Sequence, residues 1–111
     1  MAGISTHVLD LTTGKPIAGV PIELYDLSVN PPKLLTRTVS NVDGRTDAPV
    51  LPSDAARAGQ FELRFGIGAH FKNEAALSDI VPVRFTVLDP VQHYHVPLLC
   101  SPWCFSTYRG S

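Results

Sequence analysis

Two histidines and two cysteines lie close together near the end of this 111-residue chain, among strand-forming residues: His93, His95, Cys100 and Cys104. Two nitrogen and two sulfur donors match a zinc site in number. Zinc motifs, however, usually bring their thiols together on a tight knuckle rather than along an extended apolar strand. If the cysteines flank a hairpin they could also form a disulfide, but no other feature indicates an oxidising compartment. We therefore expect no metal and two reduced, mainly structural thiols.

The strand that contains these histidines has two unlike faces, because successive side chains of a strand point to opposite sides. The core-facing set is apolar and comprises Tyr94, Val96, Leu98 and Cys100. The outward set comprises His93, His95, Pro97 and Leu99. Proline and leucine are unusual on an open surface, so we expect another copy of the chain to cover this face. The first strand repeats the pattern, with His7 and Leu9 opposite Val8.

Histidine and arginine supply complementary chemistry on such a face. A neutral imidazole can accept a proton from water near pH 7, whereas a guanidinium stays charged and stabilises negative oxygen. Arg45 directly follows Asp43-Gly44, a strong tight-turn signal. Each residue also has an ordinary interpretation: a packed or solvated histidine, a solvated loop charge at Arg45 beside Asp47, and a hydrophobic plug at Tyr108. The sequence contains no nucleophile elbow and no phosphate loop.

Short strands must position these residues. Alternating apolar and polar positions predict strands over 6–11, 20–27, 33–40, 61–65, 81–88, 93–99 and 105–108. Ser53 is a candidate cap of one helical turn reaching Arg57, and Ala69 to Leu77 is the best candidate for a helix. The pattern indicates an all-β fold with one short helix, an antiparallel β-sandwich of seven to eight strands. We expect a single domain spanning residues 1–111.

The charge composition excludes several partners. Nine basic residues against ten acidic ones give a formal net charge of -1, with no basic stripe for nucleic acid or an anionic membrane. No stretch is long enough to span a bilayer, and the amino-terminal residues do not resemble a leader. We expect a cytoplasmic protein with no nucleic-acid or membrane partner.

Three stretches together resemble the 5-hydroxyisourate hydrolases, the transthyretin-related enzymes of urate breakdown. They are Ser5-Thr6-His7-Val8-Leu9-Asp10, Asp43-Gly44-Arg45, and the terminal segment from His93 to the Tyr108-Arg109-Gly110-Ser111 signature. The resemblance implies a transthyretin-like sandwich and a homotetramer built as a dimer of dimers, with active sites in the channel between dimers and no cofactor. It implies hydrolysis of 5-hydroxyisourate to 2-oxo-4-hydroxy-4-carboxy-5-ureidoimidazoline, in which water attacks a cyclic amide.

Carried over by position, the resemblance makes His7, Arg45 and His95 catalytic and lets Tyr108 and Ser111 line the substrate pocket with His7 and Arg45. Either His95 or His7 is expected to be the general base. The chain departs from the family at Trp103-Cys104-Phe105, where a glycine and a tyrosine are common. Because glycine adopts conformations closed to cysteine, we expect altered packing of this turn. Two alternatives remain: a transthyretin-like carrier with a small ligand in its channel, and a sandwich without activity.

Overall fold

A computed structural model describes residues 2–71 and 79–110. Within these ranges the chain forms ten strands and one 3-10 helix at Ser53–Ala55. In chain order the strands are β1 (Gly3–Ser5), β2 (Val8–Asp10), β3 (Lys15–Pro16), β4 (Pro21–Asp26), β5 (Lys33–Val39), β6 (Gly59–Gly66), β7 (Ile80–Val87), β8 (His93–His95), β9 (Leu98–Cys100) and β10 (Phe105–Thr107). No helix in the described part of the chain is long and apolar enough to cross a membrane.

Two four-stranded sheets form the sandwich. One has the order β5-β4-β6-β7 and is antiparallel throughout, whereas the other has the order β10-β9-β2-β3. The second sheet combines antiparallel pairings with one parallel pairing, between β2 and β9. Strand β1 pairs with β8, also in parallel. The expected all-β sandwich is confirmed, and its parallel pairings bring the two ends of the chain side by side.

The strand count exceeds the expected seven to eight because the predicted strand 93–99 is interrupted and because β1 and β3 lie outside the predicted strands. β1 and β2 are separated at Thr6 and His7, and β8 and β9 at Val96 and Pro97. Backbone hydrogen bonds cross both interruptions, from Val96 N to Ser5 O at 2.9 Å and from Leu98 N to His7 O at 2.8 Å. The two interrupted strands therefore remain aligned as one kinked pair.

The alternation of buried and outward side chains also fails at the interruption between β8 and β9. His93, His95 and Leu99 are half-buried on the outer face as expected, but Pro97 is buried within the chain itself. The prediction that Pro97 faces outward is wrong because the strand bends there, so Val96, Pro97 and Leu98 are buried in succession. The outer face is consequently less apolar than the sequence suggested.

The core lies between the sheets and follows the predicted alternation elsewhere. Val8 and Leu98 of one sheet join Ile22, Leu24 and residues of β6 and β7 in a single cluster. The buried members of β6 and β7 include Phe61, Leu63, Phe65, Val81, Val83 and Val87. Apolar side chains at every second position therefore hold the sheets together, since burying such surface is the main favourable contribution to folding.

Three local predictions have different outcomes. Ser53 does not cap the 3-10 helix, because it lies inside the helix and Pro52 occupies the cap position without a side-chain hydrogen bond. The predicted helix from Ala69 to Leu77 falls largely outside the described residues. The turn around Cys104 contains no residue with positive φ, so the missing glycine is not needed there. Instead, the Ser101 hydroxyl accepts hydrogen bonds from the backbone N–H groups of Trp103 and Cys104.

Candidate active site

His93 and His95 converge on the hydroxyl of Ser5. The parallel pairing of β1 with β8 places Gly3 opposite His93 and Ser5 opposite His95. The Ser5 Oγ lies 2.7 Å from Nε2 of His93 and 2.8 Å from Nδ1 of His95. One serine therefore bonds both histidine rings on the outer face of the sandwich.

The carboxy-terminal tail packs against the other side of His95. The Gly110 N–H donates to the His95 carbonyl at 2.6 Å. A Cβ at position 110 would lie 2.8 Å from Cδ2 of the His95 ring and 3.2 Å from its Cβ. Only glycine fits here, so the tail confines the imidazole that Ser5 bonds from the opposite edge.

The environment of His95 favours its neutral form. Burial lowers the pKa of His95 below its ordinary value of 6.5. The positive charge of Arg45 lowers this pKa further, as do His7 and His93 when they are protonated. A neutral imidazole near pH 7 retains one unprotonated nitrogen that can accept a proton.

His7 lies in the interruption between β1 and β2 and is held by the Asp43-Gly44 turn. Its Nε2 donates to the Asp43 carbonyl at 2.8 Å. Gly44 has a φ of +74°, and a Cβ there would lie 2.9 Å from Pro16 Cβ and 3.1 Å from His7 Cδ2. The predicted turn is thus present, and its glycine lets the turn approach the first strand closely enough to bond His7.

Arg45 leaves the same turn with an exposed side chain. Asn41 holds its backbone: the Arg45 N–H donates to Asn41 Oδ1 at 3.2 Å, and the Asn41 N–H donates to the Arg45 carbonyl at 2.7 Å. An open cavity of about 190 Å³ is lined by Ser5, Thr6 and residues 45–49. Within the described ranges no salt bridge involves Arg45. Its charge is thus available beside Ser5 and the histidines.

The structure brings three of the five predicted site residues together. His7, Arg45 and His95 interact electrostatically around Ser5. Tyr108 is 58% exposed and borders a different groove of about 230 Å³ between β7 and the tail. Ser111 lies outside the described residues. The roles of these five residues in binding or catalysis remain predictions.

Sequence reasoning missed Ser5, the Asp43 carbonyl and Gly110. Ser5 shares a strand face with His7, so alternation alone puts its side chain on the correct side. What the sequence did not supply is the parallel register that places Ser5 beside His95. The Gly110 contact has no local signal either, because it depends on the tail crossing β8.

The cysteines are not arranged around the histidines. Cys100 is a buried free thiol whose Sγ lies 3.5 Å from the Leu9 carbonyl, and Cys104 is an exposed free thiol with its Sγ 3.3 Å from Ser101 Oγ. Burial raises the pKa of the Cys100 thiol to about 11, and the Asp10 carboxylate raises it too. Such a thiol stays protonated near neutral pH, which does not favour metal binding. In the described part of the chain, no three histidine, cysteine or acidic side chains are grouped to hold a metal.

The fold and the site define a transthyretin-like β-sandwich with His7, His93, His95 and Arg45 on one outer face. The chain belongs to the HIUase/Transthyretin family, whose model matches residues 4–110. It is 45% identical to the 5-hydroxyisourate hydrolase of Deinococcus radiodurans over 114 aligned residues, which cover 98% of this chain and 96% of that protein.

Solved structures agree with this assignment. The 5-hydroxyisourate hydrolase of Klebsiella pneumoniae is 32% identical and superposes with a TM-score of 0.83, covering 100% of this chain and 94% of that one. Transthyretin from Sparus aurata superposes with a TM-score of 0.88 over 99% of this chain and 97% of that one. It is only 18% identical, so it establishes the shared fold and nothing more.

Proposed function

We propose that this chain hydrolyses 5-hydroxyisourate to 2-oxo-4-hydroxy-4-carboxy-5-ureidoimidazoline in purine breakdown. Family membership and full-length relatives that bear the name 5-hydroxyisourate hydrolase support this activity. The observation that carries the proposal is a neutral His95, bonded by Ser5 and confined by Gly110, close enough to Arg45 for the arginine charge to lower its pKa.

His95 is the general base of the proposed reaction. Its bond to Ser5 occupies Nδ1, so Nε2 is the nitrogen left for a water molecule. As the water oxygen bonds to the ring carbonyl carbon, its proton passes to His95. The carbon–nitrogen bond of the cyclic amide then breaks, and the same proton passes to the departing nitrogen. One histidine thus acts as base and then as acid.

Arg45 and His7 have the complementary roles. The Arg45 guanidinium stabilises the negative oxygen of the tetrahedral intermediate, because a guanidinium offers a positive charge and several N–H donors. His7 donates from Nε2 to the Asp43 carbonyl, which leaves Nδ1 as the ring nitrogen that can contact a polar group of the substrate. No step needs a cofactor.

The proposal includes a homotetramer, a dimer of dimers in which Tyr108 and Ser111 complete the pocket wall. Two observations support it. In the described part of the chain, β7 and β10 are the terminal strands of their sheets, and edge strands are templates for pairing with another chain. Trp103 and Phe105 beside one of these edges are large exposed apolar residues. The free thiols of Cys100 and Cys104 support a cytoplasmic location.

The direct test follows the ultraviolet decay of freshly generated 5-hydroxyisourate and subtracts its spontaneous hydrolysis. We expect the His95→Asn variant to lose roughly 100-fold or more of the catalysed rate, the usual effect of removing a general base. His7→Asn should retain more activity than His95→Asn, because it loses substrate orientation rather than proton transfer. If both variants keep the wild-type rate, this reaction scheme is wrong.

The alternative of a small-molecule carrier predicts a different outcome. A carrier needs an open and mainly apolar channel, whereas the outer face presents His7, Arg45 and His95. Light scattering that shows a tetramer, combined with a rate equal to the background, would favour the carrier. A monomer without activity would leave only the structural sandwich.

A further inference from the structure

A series of three hydrogen bonds links the Ala2 carbonyl, His93 and Ser5 to Nδ1 of His95, the proposed base. It begins at the Ala2 carbonyl, which lies 3.3 Å from Nδ1 of His93. Nε2 of His93 lies 2.7 Å from Ser5 Oγ, and Ser5 Oγ lies 2.8 Å from Nδ1 of His95. The parallel pairing of β1 with β8 aligns these groups, since Gly3 is opposite His93 and Ser5 opposite His95.

The available donors and acceptors determine which group donates in each of these hydrogen bonds. A carbonyl oxygen can only accept, so Nδ1 of His93 must carry the hydrogen that bonds Ala2. In neutral His93 the other nitrogen, Nε2, is then unprotonated and accepts the Ser5 hydroxyl hydrogen. The Ser5 oxygen has no second hydrogen, so it accepts from Nδ1 of His95. Neutral His95 is left with a proton on Nδ1 and a free lone pair on Nε2.

We propose that Ser5 and His93 are positioning residues that hold His95 in the tautomer whose Nε2 is free to accept the proton of water. This inference deepens the proposed function and rests on it for the role of His95. The two residues act through His95 rather than on substrate, in the way that the hydrogen bond at one ring nitrogen sets the protonation of the other.

Reversing the direction of these hydrogen bonds would prevent His95 from acting as a base. If Nε2 of His93 carried a hydrogen, it would donate to Ser5, and the Ser5 hydroxyl would turn to donate to Nδ1 of His95. Neutral His95 would then carry its proton on Nε2 and could not accept another there. The Ala2 carbonyl therefore matters although it lies three positions away from the Ser5–His95 pair, because it determines which nitrogen of His93 carries the hydrogen.

Gly110, on the side of the His95 ring opposite Ser5, prevents the ring from rotating away from Ser5. Its Cα leaves no room for even a methyl group beside Cδ2 of His95, and its N–H bonds the His95 carbonyl. Burial and the charge of Arg45 keep the ring neutral, since both lower the pKa of His95. Tautomer, orientation and charge are thus controlled by three separate contacts.

The decisive experiment reads the tautomer itself. Nitrogen-15 labelling of the histidines and long-range proton–nitrogen correlation spectra of the full chain at neutral pH distinguish a protonated ring nitrogen from an unprotonated one. We expect neutral His95 to carry its proton on Nδ1. A wild-type His95 protonated on Nε2 would overturn the inference, whether or not the protein hydrolyses 5-hydroxyisourate.

Variants test the two positioning residues, with matched replacements as controls. Ser5→Ala should let His95 exchange between tautomers and slow kcat by roughly 10- to 100-fold, the range seen when partners that orient metal-bound histidines are removed. Ser5→Thr keeps the hydroxyl and should retain most activity and the Nδ1–H tautomer. His93→Gln keeps an acceptor oxygen near the position of Nε2, whereas His93→Leu does not.

Thermal unfolding separates these effects from loss of the fold. We expect His93→Gln to resemble the wild type in tautomer and kcat, and His93→Leu to resemble Ser5→Ala. A folded Ser5→Ala or His93→Leu variant with the wild-type kcat and the wild-type tautomer of His95 would contradict the inference. By contrast, a wild-type protein with the expected tautomer but only background turnover would contradict the proposed function and leave the hydrogen-bond chain intact.

Discussion

Replacing Gly110 with alanine is expected to damage the site while sparing the fold. The new Cβ would lie 2.8 Å from Cδ2 and 3.3 Å from Cγ of the His95 ring. Carbon atoms pack best at about 3.5–4.0 Å, so the ring or the tail must move by about 1 Å. Misplacing a catalytic group by about 1 Å costs roughly 100-fold in rate. This fall in kcat/KM corresponds to about 2.7 kcal/mol of transition-state stabilisation.

Gly66→Ala provides the matched control for this experiment. Its new Cβ would meet the Pro21 side chain at 3.5 Å, an ordinary contact, and neither glycine has a positive φ. Both variants should unfold within about 1 kcal/mol of the wild type, because the tail loses at most one backbone hydrogen bond. Only Gly110→Ala should lose turnover in the background-subtracted assay. A Gly110→Ala rate within twofold of the Gly66→Ala rate would refute the claim that the tail confines His95.

Two further predictions concern charge. The Arg45 charge lowers the pKa of His95, so in the wild type we expect the acid limb of the kcat/KM profile to have its midpoint below pH 6.5. Arg45→Gln should raise this midpoint and slow turnover roughly 100-fold. An unchanged midpoint would show that the acid limb does not report the protonation of His95. Glu62→Gln should lower the free energy of unfolding by about 2 kcal/mol at pH 7, since the buried carboxylate accepts hydrogen bonds from Arg64 and Arg84 at 2.6 Å each. Burial raises the pKa of Glu62, but the two guanidinium groups outweigh it and the net pKa lies below 4.5. The wild-type advantage should therefore be complete above pH 4.5 and vanish as the pH falls through the lowered pKa. Urea unfolding across this range measures it, and a difference independent of pH would contradict the ion-pair explanation.

The fold was largely predictable because apolar and polar side chains alternate along its strands, and the apolar ones face the core. Ile22, Leu24 and Asp26 take alternate positions in the predicted strand 20–27 and therefore share one face, and all three are buried. The sequence did not disclose how the buried Asp26 is satisfied, since Arg57 bonds it at 2.7 Å from a loop 31 residues away. The spacing of apolar residues along a strand indicates which face is buried. The hydrogen-bond partner of a buried polar residue depends on the topology of the whole fold.

The same distinction divides the candidate site. Alternation correctly placed His7 and His95 on the outer face, because side-chain direction is a local property of a strand. The bond from Ser5 to His95 spans 90 positions, and the bond from His7 to the Asp43 carbonyl spans 36. Local patterns carry no information about such registers. The interruption at Pro97, which turns this residue inward, follows equally from tertiary packing.

Both histidines are held by strands and turns from distant parts of the chain, so the site exists only in the completed sandwich. The pairing of β1 with β8 closes nearly the full length of the chain, so it carries a large loop-closure entropy cost. Loosening this pairing would release Ser5, His93 and the backbone of His95 together, while the antiparallel sheet of β4 to β7 keeps its own hydrogen bonds. Local opening at the β1–β8 pair should therefore abolish activity at a lower denaturant concentration than the one that opens the β5-β4-β6-β7 sheet. Loss of activity then reports how tightly the two chain ends are joined.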